Sequence, residues 1–113
     1  MNENKEINVS LVVPCKNEEE NLNRCLNSVA WINEKFVVDS NSSDKTSDIA
    51  KQHNAKIVQF NYGGGWPKKK NWALENLLFS NEWVLILDAD ECLPPEAETD
   101  IRKIVANSDE KHS

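Results

Sequence analysis

Short apolar runs alternate with amphipathic stretches along the whole chain. Val9, Leu11, Val12 and Val13 fall within Ile7 to Pro14, which predicts a first strand ended by proline. Leu22, Cys25, Leu26 and Val29 then recur at i, i+3, i+4 and i+7, the apolar stripe of a helix, and Asn17 with Glu20 has the spacing of a cap for its start. Phe36-Val37-Val38 before Asp39 predicts a second strand. Ser42-Ser43-Asp44 reads as a turn, with Ser43 or Asp44 as the cap of a short helix whose stripe is Thr46, Ile49, Ala50 and His53. A third strand is expected from Lys56 to Phe60. Asn61 to Pro67 reads as a loop holding the three glycines of the chain, and Ala73, Leu74, Leu77 and Leu78 mark the next helix, with Pro67 suited to its first turn. Trp83 to Leu87 is apolar and branched enough to be a strand buried on both faces. Ala97, Ile101, Ile104 and Val105 mark a last helix after Pro94-Pro95, and residues 107–113 read as a polar tail.

Strand and helix in strict alternation predict parallel β-α-β units with right-handed crossovers. The expected fold class is α/β: a Rossmann-like parallel sheet of order 3-2-1-4 with flanking helices, forming one domain over residues 1–113. That order sends the carboxyl ends of all the strands to one edge. Pro14 to Glu18, Asp39-Ser40-Asn41, the loop from Asn61 to Lys70, and Asp88-Ala89-Asp90 would then converge on one crevice.

Composition narrows the class. A chain of 113 residues with net charge −6 is too acidic to present the basic footprint of a nucleic-acid binder. Cys15, Cys25 and Cys92 are odd in number and lack C-x-x-C spacing, which favours reduced thiols and a cytoplasmic setting over a disulfide framework. The first residues lack the pattern of a signal peptide, and no apolar run has the length of a membrane span. His53 lies on the apolar side of its helix and reads as structural.

The informative chemistry is Asp88-Ala89-Asp90 at the end of the fourth strand. Adjacent carboxylates repel and are costly to bury, and a hard divalent cation resolves that by taking one or two of them and filling its other positions with water and phosphate oxygens. An acidic loop is the bland alternative. Asp39 could accept from a base imide or a ribose, or satisfy backbone N–H groups of its own turn. Glu18, Glu19 and Glu20 suit a first helical turn, where the macrodipole favours acids, and Glu18 lies near enough to the crevice to be ambiguous. Lys68-Lys69-Lys70 at a helix start opposes the macrodipole, which points to an anion nearby; a solvated run is the alternative. Trp66 and Trp72 are either stacking platforms or packing. The glycine triplet matches neither G-x-G-x-x-G nor a P-loop.

Val12-Val13-Pro14-Cys15-Lys16-Asn17-Glu18, Val37 to Thr46, and Leu87-Asp88-Ala89-Asp90-Glu91, in this order and spacing, resemble the donor-binding half of family 2 inverting glycosyltransferases with the GT-A fold. Lys68 to Leu74 and the Leu-Asp-Ala-Asp-Glu run resemble the branch of lipopolysaccharide-core β-glucosyltransferase-like members. The resemblance covers about Ile7 to Asn107. It implies that Asp39 contacts the nucleotide base, Pro14 and Glu18 line the nucleotide pocket, and Lys70 is a basic residue near the nucleotide. It further implies that Asp88 lies near the ribose and that Asp90, with Asp88, holds Mg²⁺ or Mn²⁺ against the diphosphate. Ser40 stands where many members have a second acid, and Asn41 where many have glycine.

The implied activity is transfer of a sugar from a nucleotide-diphosphate donor to a glycan or lipid-linked acceptor with inversion, as in polysaccharide biosynthesis, in the cytoplasm or at the inner face of the membrane. In that family the general base lies in the later half of the domain. This chain ends at Ser113, and Glu91 is a poor substitute, so the expectation is a donor- and metal-binding half without its own base. A truncated chain, a gene fragment and a functional short protein are all compatible with that. A non-catalytic nucleotide-sugar-binding remnant is one alternative, and a receiver-like Mg²⁺-binding signalling domain is another. A nucleotidyltransferase of similar fold would need a glycine- and arginine-containing loop after the first strand, which is missing. The fourth strand, at an edge, predicts self-association through that edge or marginal stability.

Overall fold

The computed structural model describes residues 7–60 and 66–112, with side chains described for 7–60 and 71–107. Strands and helices alternate: β1 (Val9–Cys15), α1 (Leu22–Asn27), β2 (Glu34–Asp39), α2 (Thr46–Gln52), β3 (Lys56–Gln59), α3 (Trp66–Asn76), β4 (Trp83–Ile86) and α4 (Pro95–His112). They form a four-stranded sheet of order β3-β2-β1-β4. Every pairing is parallel, with Cys15 beside Asp39, Asp39 beside Gln59, and Val12 beside Ile86. The expected α/β topology is the one observed.

Period-two alternation along β1 explains why it is central. Val9, Leu11, Val13 and Cys15 enter a core on one face with Leu22, Cys25 and Leu26 of α1, Ala50 of α2 and Val105 of α4. Val12 points the other way, into a second core with Val38, Phe60 and Ala73, against which Trp72, Leu77 and Phe79 pack. Phe60 and Trp72 meet edge to face, with centroids 5.5 Å apart. His53 is structural, as expected: its Nε2 lies 2.8 Å from Asn23 Oδ1.

Several elements depart from the periodicity reading. β4 is not buried on both faces: Trp83 is 38% exposed, and Val84, Leu85 and Ile86 are half-buried. It pairs with β1 alone among the described residues, so one flank lacks cover. Leu74 and Leu78 are 42% and 89% exposed: the second core takes Trp72 and Ala73 of α3 and Leu77 just after it, and α3 ends at Asn76, before Leu78. α1 begins only at Leu22, so the three glutamates before it lie in a turn, not in a first helical turn. Asn17 does not cap that helix: its φ is 53° and its side chain serves a different loop. At the other end, α4 runs on through the expected tail to His112.

The amino-terminal edge of the sheet is tied by one carboxylate. Glu34 Oε1 accepts from Ser10 Oγ at 2.5 Å and from Ser80 N at 2.8 Å, and Oε2 accepts from Ser80 Oγ at 2.7 Å. Lys56 Nζ stands 3.9 Å away. Burial disfavours the Glu34 charge, but the hydrogen bonds from Ser10 and Ser80 and the Lys56 charge outweigh it, so its pKa lies below the ordinary 4.5. A depressed carboxylate stabilises the fold above its unfolded pKa, and that stability is lost as pH falls through the folded value. Glu34→Gln should therefore cost about 1–2 kcal/mol near neutral pH. The gap to wild type should close as pH drops below 4.5, in urea titrations over a pH series. A gap that stays constant with pH would remove the ionised carboxylate from this account.

Candidate active site

The loops after β1 and β2 are joined by hydrogen bonds that run both ways. Asn17 N donates to Ser42 Oγ at 2.8 Å, and Ser43 N donates to Asn17 Oδ1 at 2.8 Å. Glu18 N donates to Thr46 Oγ1 at 2.9 Å, and Glu19 N to Asp44 Oδ2 at 3.1 Å. Lys16 Nζ reaches back to the carbonyls of Ser40 (2.9 Å) and Asn41 (3.3 Å). Asp44 also accepts from Thr46 N at 2.9 Å and from the Thr46 hydroxyl, but the N-cap of α2 is Lys45, so neither Ser43 nor Asp44 is the cap expected there; Asp44 instead closes the turn just before it. Its hydrogen bonds from Thr46 and Glu19 outweigh desolvation and hold its pKa below the usual carboxylate value. The two loops thus form one rigid rim at the carboxyl edge of the sheet.

Asp39 ends β2 inside this rim and is 1% exposed. Its Oδ1 accepts from the Ser42 hydroxyl, and its Oδ2 from Ser42 N (3.1 Å) and Gln59 Nε2 (3.1 Å). Satisfying its own turn is therefore one of its roles. Asn41 has φ 52°, the left-handed conformation that glycine takes at no cost and that asparagine tolerates. The departure from glycine at this position thus leaves the backbone path intact. Pro14 is half-buried in β1 and pairs with Val38, one residue before the Cys15–Asp39 pair. Glu18 is half-buried, and its Oε1 accepts from Asn21 Nδ2 at 3.1 Å.

After β4 the chain turns tightly. Glu91 N donates to the Asp88 carbonyl at 2.9 Å, and Asp88 N donates to Glu91 Oε1 at 2.8 Å. Cys25 of α1 lies beneath, its thiol 3.6 Å from the same carbonyl. Ala89 is 3% exposed and belongs to the α1-side core, whereas Asp88 is half-buried and Asp90 is exposed. The small middle residue anchors the turn in the core while its acidic neighbours stay nearer the surface. Partial burial raises the Asp88 pKa, and the charges of Glu91, Asp90 and Glu18 raise it further. Burial, then Cys92, Glu91, Asp90 and Asp88, push the Cys25 thiol up to about 12. Cys15 and Cys25 are buried and Cys92 exposed, all three as free thiols.

This donor set suits a hard divalent cation. It offers carboxylate oxygens whose mutual repulsion a cation would relieve. Among the described residues no three His, Cys, Asp or Glu side chains close around a point, so there is no all-protein cage. Two carboxylates with the remaining positions left to water and phosphate is the arrangement Mg²⁺ usually takes. Lys70 falls in α3, but its side chain, like those of Trp66, Lys68 and Lys69, lies outside the described residues. The hydrogen-bonded loop pairing and the part played by Gln59 were missed by sequence reasoning. Their only signal was the density of Asn, Ser, Thr and Asp in residues 17 and 39–46.

The strand order, with acidic residues at the carboxyl edge beyond β1, β2 and β4, defines half of a doubly wound, Rossmann-like α/β fold. A family model, "Glycosyl transferase family 2", matches residues 10–111, and the chain belongs to that family. An uncharacterized glycosyltransferase of Rickettsia bellii is 37% identical over 103 residues, covering 90% of this chain and 34% of that protein. The lipopolysaccharide core biosynthesis glycosyltransferase LpsC of Rhizobium meliloti is 32% identical over 114 residues, covering 90% and 38%. The crystal structure of residues 1–349 of S. aureus TarS superposes with a TM-score of 0.73 at 29% identity, covering 89% of this chain and 33% of that 1–349 chain. The chain thus spans little more than a third of the length of these relatives. The receiver-like alternative is overturned, since that fold has β1 between β2 and β3, whereas here β1 lies between β2 and β4. Among the described residues, no helix is long and apolar enough to cross a membrane.

Proposed function

We propose that this chain binds a nucleotide-diphosphate sugar through Mg²⁺ or Mn²⁺ held by Asp88 and Asp90, as the donor half of an inverting hexosyl transfer to a glycan or lipid-linked acceptor. The observation that carries the reading is the Asp88-Ala89-Asp90 turn, anchored through Ala89 beside the acidic groups of Glu18 and Glu91. Pro14 and Glu18 line the nucleotide pocket, Asp39 reads the base, Asp88 lies near the ribose, and Lys70 meets the nucleotide from α3. When bound, the cation offsets charge on the departing diphosphate. The chain's residues bind and orient the donor on a rim already held by the Asn17–Ser43 and Glu18–Thr46 hydrogen bonds.

An acceptor hydroxyl must lose its proton as it attacks the anomeric carbon. Asp88 and Asp90 are committed to the cation, and Glu91 is bonded to Asp88 N, so none of them is assigned as the base. We place that base, and the acceptor surface, in polypeptide that the relatives carry beyond the matched region. The working location is the cytoplasm, at the inner membrane face where the acceptor is lipid-linked. We also propose that the uncovered flank of β4 pairs with a second copy.

Calorimetric titration with a panel of nucleotide sugars, with and without Mg²⁺ or Mn²⁺, tests the assignment. Binding that requires the cation is the expected result, and affinity indifferent to the cation would refute it. Asp39→Ala should blur discrimination among bases more than it weakens the cation dependence, and the opposite pattern would remove Asp39 from the base site.

A further inference from the structure

Gln59 is exposed at the end of β3 and makes two directional contacts. Its Nε2 donates to Asp39 Oδ2 at 3.1 Å, and its Oε1 accepts from Asn41 N at 3.1 Å. The second contact fixes the amide orientation, since a flip would set its oxygen against the Asp39 carboxylate. Ser42 is fixed in the same way. Its hydroxyl oxygen accepts from Asn17 N at 2.8 Å, so its proton is directed to Asp39 Oδ1. A carboxylate has about four acceptor positions. The Ser42 hydroxyl, Ser42 N and Gln59 Nε2 fill three of them, which leaves one, on Oδ1.

We propose that Gln59 is a positioning residue that sets base selectivity by holding Asp39 as an oriented acceptor. This rests on the reading of Asp39 as the base contact. An acceptor held in this way favours a base carrying an imide N–H donor on its pairing edge. A base with a ring nitrogen acceptor at that place meets the carboxylate lone pair to lone pair. Because Asp39 is buried, neither water nor side-chain rotation offsets the mismatch. Without Gln59, Oδ2 loses a donor, and the carboxylate can turn away from the orientation that rejects the wrong base.

The test compares uridine diphosphate with cytidine diphosphate, which differ at the pairing edge in having a ring N–H or a bare ring nitrogen. Calorimetry with Mn²⁺ on the full chain should show wild type favouring the uridine ligand by at least about tenfold, the scale of one hydrogen bond to a charged group. Gln59→Leu and Gln59→Glu should each cut that ratio to about threefold or less, with the Mn²⁺ dependence of uridine diphosphate binding unchanged. Gln59→Glu keeps the acceptor for Asn41 N and replaces the donor to Asp39 with a second carboxylate oxygen, so it separates the latch from the loop contact. Retention of the wild-type ratio in either variant would overturn the proposal while leaving the donor-binding reading intact. A wild-type protein that binds neither diphosphate would instead bring down both.

Discussion

Asp90→Asn should abolish most of the cation dependence of nucleotide diphosphate binding and weaken it at least about a hundredfold, or about 2.8 kcal/mol. Changes to groups that merely support a metal ligand already cost about ten- to a hundredfold, so a direct ligand belongs at the upper end. Asp90 is exposed on a turn fixed by other atoms: the Ala89 methyl in the core, and the paired Asp88 and Glu91 contacts. Replacing its carboxylate with an amide therefore removes charge without removing structure, and the mutant should melt with wild type. Asp88→Asn should show the same loss of cation response with a different stability signature. Asp88 is half-buried among Glu91, Asp90 and Glu18, so neutralising it relieves repulsion and should hold or raise stability in the absence of cation. Calorimetry with and without Mn²⁺, paired with thermal melts, reads both effects. A folded Asp90→Asn protein with unchanged affinity and unchanged cation response would sink the metal assignment.

How much of this was legible beforehand depended on whether a feature was local. Strand alternation and the i, i+3, i+4 stripes are set by neighbouring residues, and they predicted all the elements and the order 3-2-1-4. The Asp88-Ala89-Asp90 turn was legible for the same reason: acids directly after an apolar strand are conspicuous. The rim was not. Asn17 has the spacing of a helix cap, yet its side chain serves Ser43 N, 26 residues away in sequence, and no local pattern encodes such a pairing. The Asp39 latch depends on Gln59, whose position beside it follows only from the β2–β3 register. Leu74 and Leu78 failed differently, since apolar spacing states what a helix could bury and cannot say whether a partner is there. Their exposure, and that of Trp83, follows from elements packed on one side only.

That one-sidedness should make the chain self-associate. β4 presents Trp83-Val84-Leu85-Ile86 without a charge or proline, and among the described residues its outer flank pairs with nothing. Natural edge strands are usually blunted by lysine, proline or a bulge. Beside this edge, Ile101, Ile104 and Val105 of α4 line an apolar groove with Trp83, Val84 and Leu85, and Ile104 is 53% exposed. Set antiparallel to its own copy about a two-fold axis, the strand places Trp83 opposite Ile86 and Val84 opposite Leu85, all apolar cross-strand pairs. Wild type should therefore scatter light as a dimer or larger at high concentration. Trp83→Lys combined with Ile104→Glu should return it to monomer. Both residues are already substantially exposed, so the loss of packing should stay near 1 kcal/mol, about what a partly buried side chain contributes. The same variant should keep its cation-dependent donor binding, because the carboxyl edge of the sheet is untouched. A wild-type chain that stays monomeric at high concentration would show that the β4 flank is not sticky on its own.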